Sequence, residues 1–366
     1  MKVAVFFGGK SCEHNISIIT AVQAMRVLGV RHDIIPIYID NEGIFWHGEE
    51  LKEMRAFKKD KKVKKQRVTF MGGSKNLYSV KGKILATVDV ALLCTHGFGG
   101  EDGCLQGLLS LCGIPFTGSG VLASSIGMNK IYSKKMFERD FLPILPYVGF
   151  NKTEYKNDLY SLVEKIKTEL TFPLIVKPAS LGSSIGITVA HDFPELFEAI
   201  SNAFLWDNEV VIENALVNYL EYNCAAIGDG GDILLSEIER PISSSEFLTY
   251  KDKYLNKQKG QSGTKKEFPA KIDSKLASKI KILTRKAFKA IGASGVARID
   301  FLLSEEGQLY VNEINTIPGA LSNYLFTKGD NFLSFADLLD RLLDIAVVRQ
   351  KRSDDLQFVY KSAYEL

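Results

Sequence analysis

The segment Gly295–Gly319, GVARIDFLLSEEGQLYVNEINTIPG, decides how the rest of the chain is read. Two short apolar runs, Gly295 to Leu303 and Gln308 to Ile314, flank the polar turn Ser304-Glu305-Glu306-Gly307. That pattern predicts a β-hairpin. Side chains alternate across a strand, so Arg298 and Asp300 share one face, and Glu313 and Asn315 share one face. Closing the hairpin brings a carboxylate from each strand and an amide oxygen toward one point. Hard oxygen ligands of this kind suit Mg²⁺, which binds through one or two carboxylates together with substrate phosphates. The plainer alternative is a surface ion pair between Arg298 and a neighbouring acid.

Working outward, Lys2 to Phe7 reads as a buried strand that ends in the turn Gly8-Gly9-Lys10-Ser11. Ile18, Val22 and Met25 then recur at helical spacing as far as Gly29. Asp33 to Ile39 and Val88 to Cys94 read as further strands. Strands alternating with helices predict a parallel α/β unit whose working loops lie at the carboxyl ends of its strands. Glu13-His14 and His96 sit in two such loops. Glu13 can hold a substrate ammonium, or it can act only as an acid near a helix N-terminus. His96, among Gly97, Gly99 and Gly100, can face a substrate or be a hydrogen-bonded structural residue.

Farther along, Phe172 to Lys177 and Gly186 to Ala190 read as strands around a loop containing Gly182-Ser183-Ser184-Ile185-Gly186. Glycines let backbone N–H groups approach phosphate oxygens closely, and serines add donors. The P-loop spacing is absent, and Gly-Ser hairpin loops are commonplace. Lys177 precedes the loop, and Lys130 offers a second positive charge if it is not an ordinary exposed helix lysine. Leu255 to Lys266 lacks periodicity and reads as a lid. Phe335 to Ala346 predicts a helix capped by Ser334. The charged remainder from Arg349 onward reads as a tail.

Composition narrows the class. The chain has 366 residues, 46% of them apolar, and a formal net charge of +3. It can bury two or three domains, and its charge is too balanced to argue for nucleic acid. The basic run Lys58 to Arg67 lacks interleaved aromatics and reads as a solvated loop. The five cysteines have no CxxC spacing and read as reduced thiols. No stretch approaches a membrane span, and the N-terminus enters a strand without a signal-peptide pattern. A cytoplasmic protein is expected.

Several motifs together carry a family resemblance. They are Phe7-Gly-Gly-Lys-Ser-Cys-Glu-His-Asn-Ile-Ser17, Thr95-His-Gly-Phe-Gly-Gly-Glu-Asp-Gly-Cys-Leu-Gln-Gly107 and Ile114-Pro-Phe-Thr-Gly-Ser-Gly-Val121. With them go Val176-Lys-Pro178, Gly182 to Gly186, Arg298-Ile-Asp-Phe301 and Asn312-Glu-Ile-Asn-Thr-Ile-Pro-Gly319. In order and coverage, Val3 to about Phe335 resembles the D-alanine–D-alanine ligases of the ATP-grasp superfamily.

The resemblance implies an α/β (α+β overall) ATP-grasp fold. A Rossmann-like parallel-sheet domain would span 1–128, a small central lid domain 129–213 and a mixed-sheet domain 214–366. It implies ATP and two Mg²⁺ ions (Mn²⁺ as a substitute) as cofactors, D-alanine as substrate, a homodimer, and neither nucleic acid nor membrane as partner.

Position by position, Lys130 and Lys177 would hold ATP phosphates, with Ser184 and its loop closing over them. Glu213, Asn214 and Leu216 would line the adenine, and Glu221 the ribose. Asp300, Glu313 and Asn315 would hold the metals. Glu13 and His96 would meet the first D-alanine. Lys253, Ser322, Tyr324 and Leu325 would meet the second. Glu13, Ser183 and Tyr254 would tether the lid, and Arg298 with the Gly319 N–H would form the oxyanion site.

The chain departs from the family pattern in several places: Pro318-Gly-Ala-Leu stands where Pro-Gly-Met-Thr is usual, and one extra residue lies between Glu213 and Glu221. Tyr324 stands where a serine is usual, Asn214 where many relatives carry lysine, and Asn129 where aspartate precedes Lys130. Tyr254 implies an amino-acid acceptor, D-alanine or D-serine, in preference to D-lactate. Rival readings are an ATP-grasp ligase joining a different pair, or a catalytically silent nucleotide-binding protein.

Overall fold

In the structure, a computed structural model, residues 1–58, 61–242 and 265–357 are described. Lys2–Gly8 is the centre of the first sheet, paired in parallel with Asp33–Ile39 on one side and Val90–Leu93 on the other. Its residues are apolar on both faces because helices cover both, as buried parallel strands require. The sheet then continues antiparallel through Phe45–His47, Gln66–Phe70, Asn76–Ser79 and Ile84–Thr87. The sequence reading had only the three parallel strands. The four added ones are three to five residues long, too short to show a period. The basic run therefore ends inside a strand at Arg67, and Lys65 lies over the Trp46 ring.

A second sheet, ordered Thr188–Ala190, Leu174–Pro178, Glu209–Asn214 and Tyr147–Asn151, is wholly antiparallel. It has a core of its own, built from Val148, Phe150, Val176, Leu196, Ile200 and Ile212 among others. Each such side chain, fully buried, contributes roughly 1.5–3 kcal/mol before conformational entropy is set against it.

The third sheet contains the hairpin. Its order is Ile233–Leu235, Leu220–Asp229, Ser294–Leu303 and Leu309–Asn315. One face carries Cys224, Ala226, Ile299 and Phe301 against the helix Ser274–Ala290. From the other face, Ala225, Ile227 and Val296 join the core of the first sheet. Contact between the two sheets is close at Gly295, where an added Cβ would lie 2.7 Å from the Gly118 backbone. Only glycine fits there, and its φ of 74° also favours glycine.

The C-terminal helix Phe335–Asp354 is capped by Ser334, whose hydroxyl accepts from the Asp337 N–H. It extends through the residues read as a charged tail. Arg349 is not a solvated charge: its guanidinium donates to the carbonyls of Phe116 (2.7 Å) and Gly118. Among the described residues all five cysteines are free, and no helix is long and apolar enough to cross a membrane.

Candidate active site

The hairpin forms as read, with one addition. Asp300 pairs with Glu313 and Phe301 with Val311, so Asn312 is an extra residue, a β-bulge. The bulge sets the site. Leu309, Val311 and Ile314 all face the core, which period-2 alternation alone forbids. Inserting Asn312 lets Glu313 and Asn315 turn to the opposite face, alongside Asp300 and Arg298. The odd spacing of Leu309, Val311 and Ile314 was the signal in the sequence. Deleting Asn312 should drive Glu313 toward the core. We expect loss of activity below detection and of several kcal/mol in stability, from burying an unpaired carboxylate. Asn312→Ala, which keeps the residue count, should retain both. Urea denaturation and phosphate release check the pair, and an active deletion variant would contradict the assignment.

The alternative ion pair is also present. Arg298 holds Asp300 through Nε to Oδ1 (2.6 Å) and Nη2 to Oδ2 (2.7 Å). Asn315 donates to Asp300 Oδ2 at 3.2 Å. In the amide orientation that satisfies its neighbours, Asn223 donates to Asp300 Oδ1 at 3.1 Å. Lys130 Nζ lies 4.0 Å from Glu313 Oε2. The pair of acids is thus held by cations and amide groups. Its donor chemistry, two adjacent carboxylates and a carboxamide, fits a hard divalent cation.

Beside this row lies a buried charge cluster. Glu213 sits between Lys177 Nζ (3.1 Å) and Lys134 Nζ (3.4 Å), with the Glu213 and Lys134 side chains each only 1% exposed. Burial pushes the Glu213 carboxyl up, but Lys134 and Lys177 hold it below the usual carboxylate range. Burial lowers Lys130 and Lys134 against their acidic partners. The two lysines expected at phosphates are therefore close together, and Lys130 also donates to the Leu181 carbonyl (2.7 Å). Lys134 is a functional neighbour the sequence reading missed. It follows Lys130 by one helical turn, and nothing in its own sequence surroundings separates it from exposed Lys135. Asn129 caps this helix by accepting from the Ile131 and Tyr132 N–H groups, and its amide donates to Glu209 Oε2 (2.6 Å). An amide does both jobs where aspartate could only accept.

The adenine-side residues divide. Glu213 is committed to the lysines. Asn214 uses its side-chain oxygen to accept from the Thr171 N–H (3.0 Å). Leu216 is half-buried in the turn that follows. Glu221 pairs with Leu302 across the hairpin sheet, on the Asp300 face, with the Tyr219 hydroxyl 3.5 Å from its carboxylate.

Three loops meet at Glu13. The Ser183 hydroxyl donates to Glu13 Oε1 in a short hydrogen bond. Gly182 approaches so closely that an added Cβ would stand 3.2 Å from Glu13 Oε2. Ser183 and Ser184 both hold φ near 58°, a left-handed conformation that costs non-glycine residues about 1 kcal/mol or more each. His14 instead bonds to the Gly9 carbonyl (2.7 Å) and the Tyr38 hydroxyl. Tyr254 and Lys253, with most of the expected lid from Leu255 to Lys266, lie outside the described residues.

His96 is buried. Its Nδ1 bonds to the Ile317 carbonyl (2.8 Å), which leaves Nε2 as a buried ring nitrogen with no hydrogen-bond partner among the described residues. Burial lowers its pKa against the pull of Glu13. Glu101 was not singled out from the sequence. It accepts from the N–H groups of Ile317 (2.9 Å) and Gly97 (3.2 Å), joining the first sheet to the loop before Gly319. Burial pushes its carboxyl up to about 7, with Glu13 adding to the rise. A raised carboxyl stabilises the fold below the ordinary range, and that contribution disappears as pH climbs through about 7. Glu101→Gln cannot ionise. Between pH 5 and 8.5 it should therefore gain on the unmodified protein by about 1–3 kcal/mol, whatever constant offset its lost hydrogen bond imposes. Parallel pH-dependent melts that do not converge or cross would refute this.

The turn after Pro318 carries Ala320, Leu321 and Ser322 at φ near 50°, three left-handed residues in succession. Ser322 is fully buried, and Leu325 packs its side chain into the main core. Tyr324 stays at the site face, against Phe268 and under the Lys266 ammonium, 3.6 Å from its ring centre.

Family models described as the D-ala D-ala ligase N-terminus and C-terminus match residues 2–119 and 136–344. The chain belongs to the D-alanine–D-alanine ligase family. The D-alanine–D-alanine ligase of Thermosipho africanus is 38% identical, over 94% of this chain and 93% of that one. The Acetivibrio thermocellus ligase is 35% identical, over 97% and 98%. Among solved structures, the D-alanine–D-alanine ligase from Coxiella burnetii superposes with a TM-score of 0.82 at 25% identity, covering 97% of this chain and 96% of that one. A D-Ala:D-Ser ligase from Enterococcus faecalis does so with a TM-score of 0.79 at 31% identity, covering 94% and 99%. Family membership brings with it the ATP-grasp architecture expected from the motifs, and an enzyme of the ligase class.

Proposed function

We propose that this chain joins two D-alanine molecules to D-alanyl-D-alanine with ATP, through a D-alanyl phosphate, supplying a peptidoglycan precursor. The observation that carries the reading is the cross-strand pair Asp300–Glu313, with Arg298 on the same face and Lys130 and Lys177 beside it. Magnesium ions at Asp300, Glu313 and Asn315 would neutralise phosphate charge and orient the γ-phosphoryl group, with manganese a workable substitute. Lys130 and Lys177 place positive charge where the transferring phosphoryl oxygens gather negative charge. Glu13, held by Ser183, receives the ammonium of the first D-alanine, with His96 Nε2 close by. Arg298 and the Gly319 N–H stabilise the oxyanion formed when the second amine attacks the acyl phosphate. The loop at Ser184 covers the phosphates, and water is kept from the intermediate.

The nucleotide base would lie along Glu213, Asn214 and Leu216, with the ribose at Glu221. Lys253 and Tyr254 keep their proposed acceptor and tether roles, and Ser322 and Tyr324 their proposed place at the second substrate. The three units 1–128, 129–213 and 214–366, a cytoplasmic location and a homodimer complete the reading. A second acceptor, D-serine, draws support from the likeness to the D-Ala:D-Ser ligase.

The test is product analysis by mass with ATP and D-alanine, against L-alanine, D-serine and D-lactate. Dipeptide from D-alanine alone supports the proposal. D-alanyl-D-serine as main product would shift the acceptor, and depsipeptide as main product would overturn the amine specificity.

A further inference from the structure

The metal row does not stop at the hairpin. Asp300 pairs with Asn223, and Asn223 pairs with Glu239 through two backbone hydrogen bonds of 2.9 Å. Glu239, in an isolated β-bridge, and the strand residues Asn223, Asp300 and Glu313 therefore form one line, with side chains on the same face. Strands lie ~4.8 Å apart, so the Glu239 and Asp300 backbones are about 10 Å from each other.

Glu239 is 5% exposed, and its Oε2 is a buried oxygen with no hydrogen-bond partner among the described residues. Lys266 Nζ stands 3.6 Å from that oxygen and also lies over the Tyr324 ring. The Tyr324 phenol is pushed up by burial and further by Glu239, while Arg298 pulls it down, so the hydroxyl stands between the two. Among the described residues the cation paired with this buried acid is a half-exposed lysine, which leaves the acid an oxygen to offer a second cation. On this face, next to the oxyanion guanidinium, the cation that chemistry supplies is the acceptor's ammonium.

We propose that Glu239, braced by Tyr324 and Lys266, binds the ammonium of the second amino acid and takes the proton it must lose. This deepens the ligase reading and rests on it. One N–H proton passes to the Glu239 carboxylate, and the freed nitrogen pair forms the C–N bond. The carbonyl–phosphate C–O bond breaks with its electron pair staying on the phosphate oxygen, and the second N–H proton leaves on the departing inorganic phosphate. Glu239 then returns its proton to solvent. The arrangement selects an amine over a hydroxyl because a neutral alcohol brings no charge to the buried acid.

Hydroxylamine, a neutral nucleophile, separates the two half-reactions. The unmodified protein with ATP, D-alanine and hydroxylamine should form D-alanyl hydroxamate as well as dipeptide. If it forms neither, the ligase reading itself fails. Glu239→Gln should make hydroxamate within about twofold of the unmodified rate and lose on the order of 100-fold in dipeptide synthesis. Its product ratio should move toward depsipeptide when D-lactate competes. Glu239→Asp should recover part of the dipeptide rate, which covers the case of a poorly folding glutamine variant. Equal loss of hydroxamate and dipeptide in both variants, or unchanged dipeptide synthesis in Glu239→Gln, would overturn the role of Glu239 and leave the ligase reading standing.

Discussion

Arg298→Ala should lower ligation at least 100-fold, and on the order of 1000-fold if it supplies most of the oxyanion stabilisation, while ATP affinity changes only a few-fold. The guanidinium sits beside Asp300 with bonds of 2.6 and 2.7 Å, its side chain 21% exposed. Those two bonds fix the orientation of the guanidinium plane against Asp300. Lys130 and Lys177, which would hold the phosphates, are on other strands and helices and keep their partners. Removing Arg298 also takes a competing cation from Asp300, so magnesium affinity should hold or rise. Turnover by phosphate release, with nucleotide titration by calorimetry, separates these effects. If ATP affinity falls as far as turnover does, Arg298 serves the nucleotide and the oxyanion role is wrong.

Glu213→Gln should be the most destabilising single change near the site. The carboxylate is buried between two lysines, and removing its charge leaves both ammonium groups without compensation. Breaking a buried pair in this way costs about 3–5 kcal/mol. Lys134→Met in the same chain removes one of the stranded charges and should restore about 1–3 kcal/mol, a coupling that a double-mutant cycle reads directly. The single variant should also raise the KM for ATP, since Lys177 is steered by Glu213. Denaturant midpoints for the four proteins settle the point. Additive losses without recovery would mean the three groups do not act as one cluster.

What could be read from the residues follows their periodicity. The hairpin was legible because Arg298, Asp300, Glu313 and Asn315 alternate with apolar residues, and the strand pairing puts them in one row. Lys2–Gly8 and Asp33–Ile39 were legible as continuous apolar runs. The Asn312 bulge was visible only as a broken alternation, which is meaningless until the core face is known. Lys134, Glu101 and Glu239 were not legible. Each gains its character from a partner far away in sequence, Glu213, Ile317 and Tyr324 respectively. Burial of a charge is a tertiary property, and local sequence carries no mark of it. Arg349 illustrates the same limit: among charged neighbours it read as solvent-facing, yet it binds two carbonyls of the first sheet's exit.

The contact of Gly295 with Gly118 has a mechanical consequence. The first sheet and the hairpin sheet share an apolar interior, and the Arg349, Glu101 and Ser119 bonds tie them further. The first sheet and the hairpin sheet thus form one larger body around a shared core, beside the smaller second sheet with a separate core. Glu13, Arg298 and Asp300 ride on the larger body and keep their mutual spacing. Lys177 and Ser183 ride on the smaller, which has an interior of its own. On heating, the smaller body, with its separate core, should loosen first.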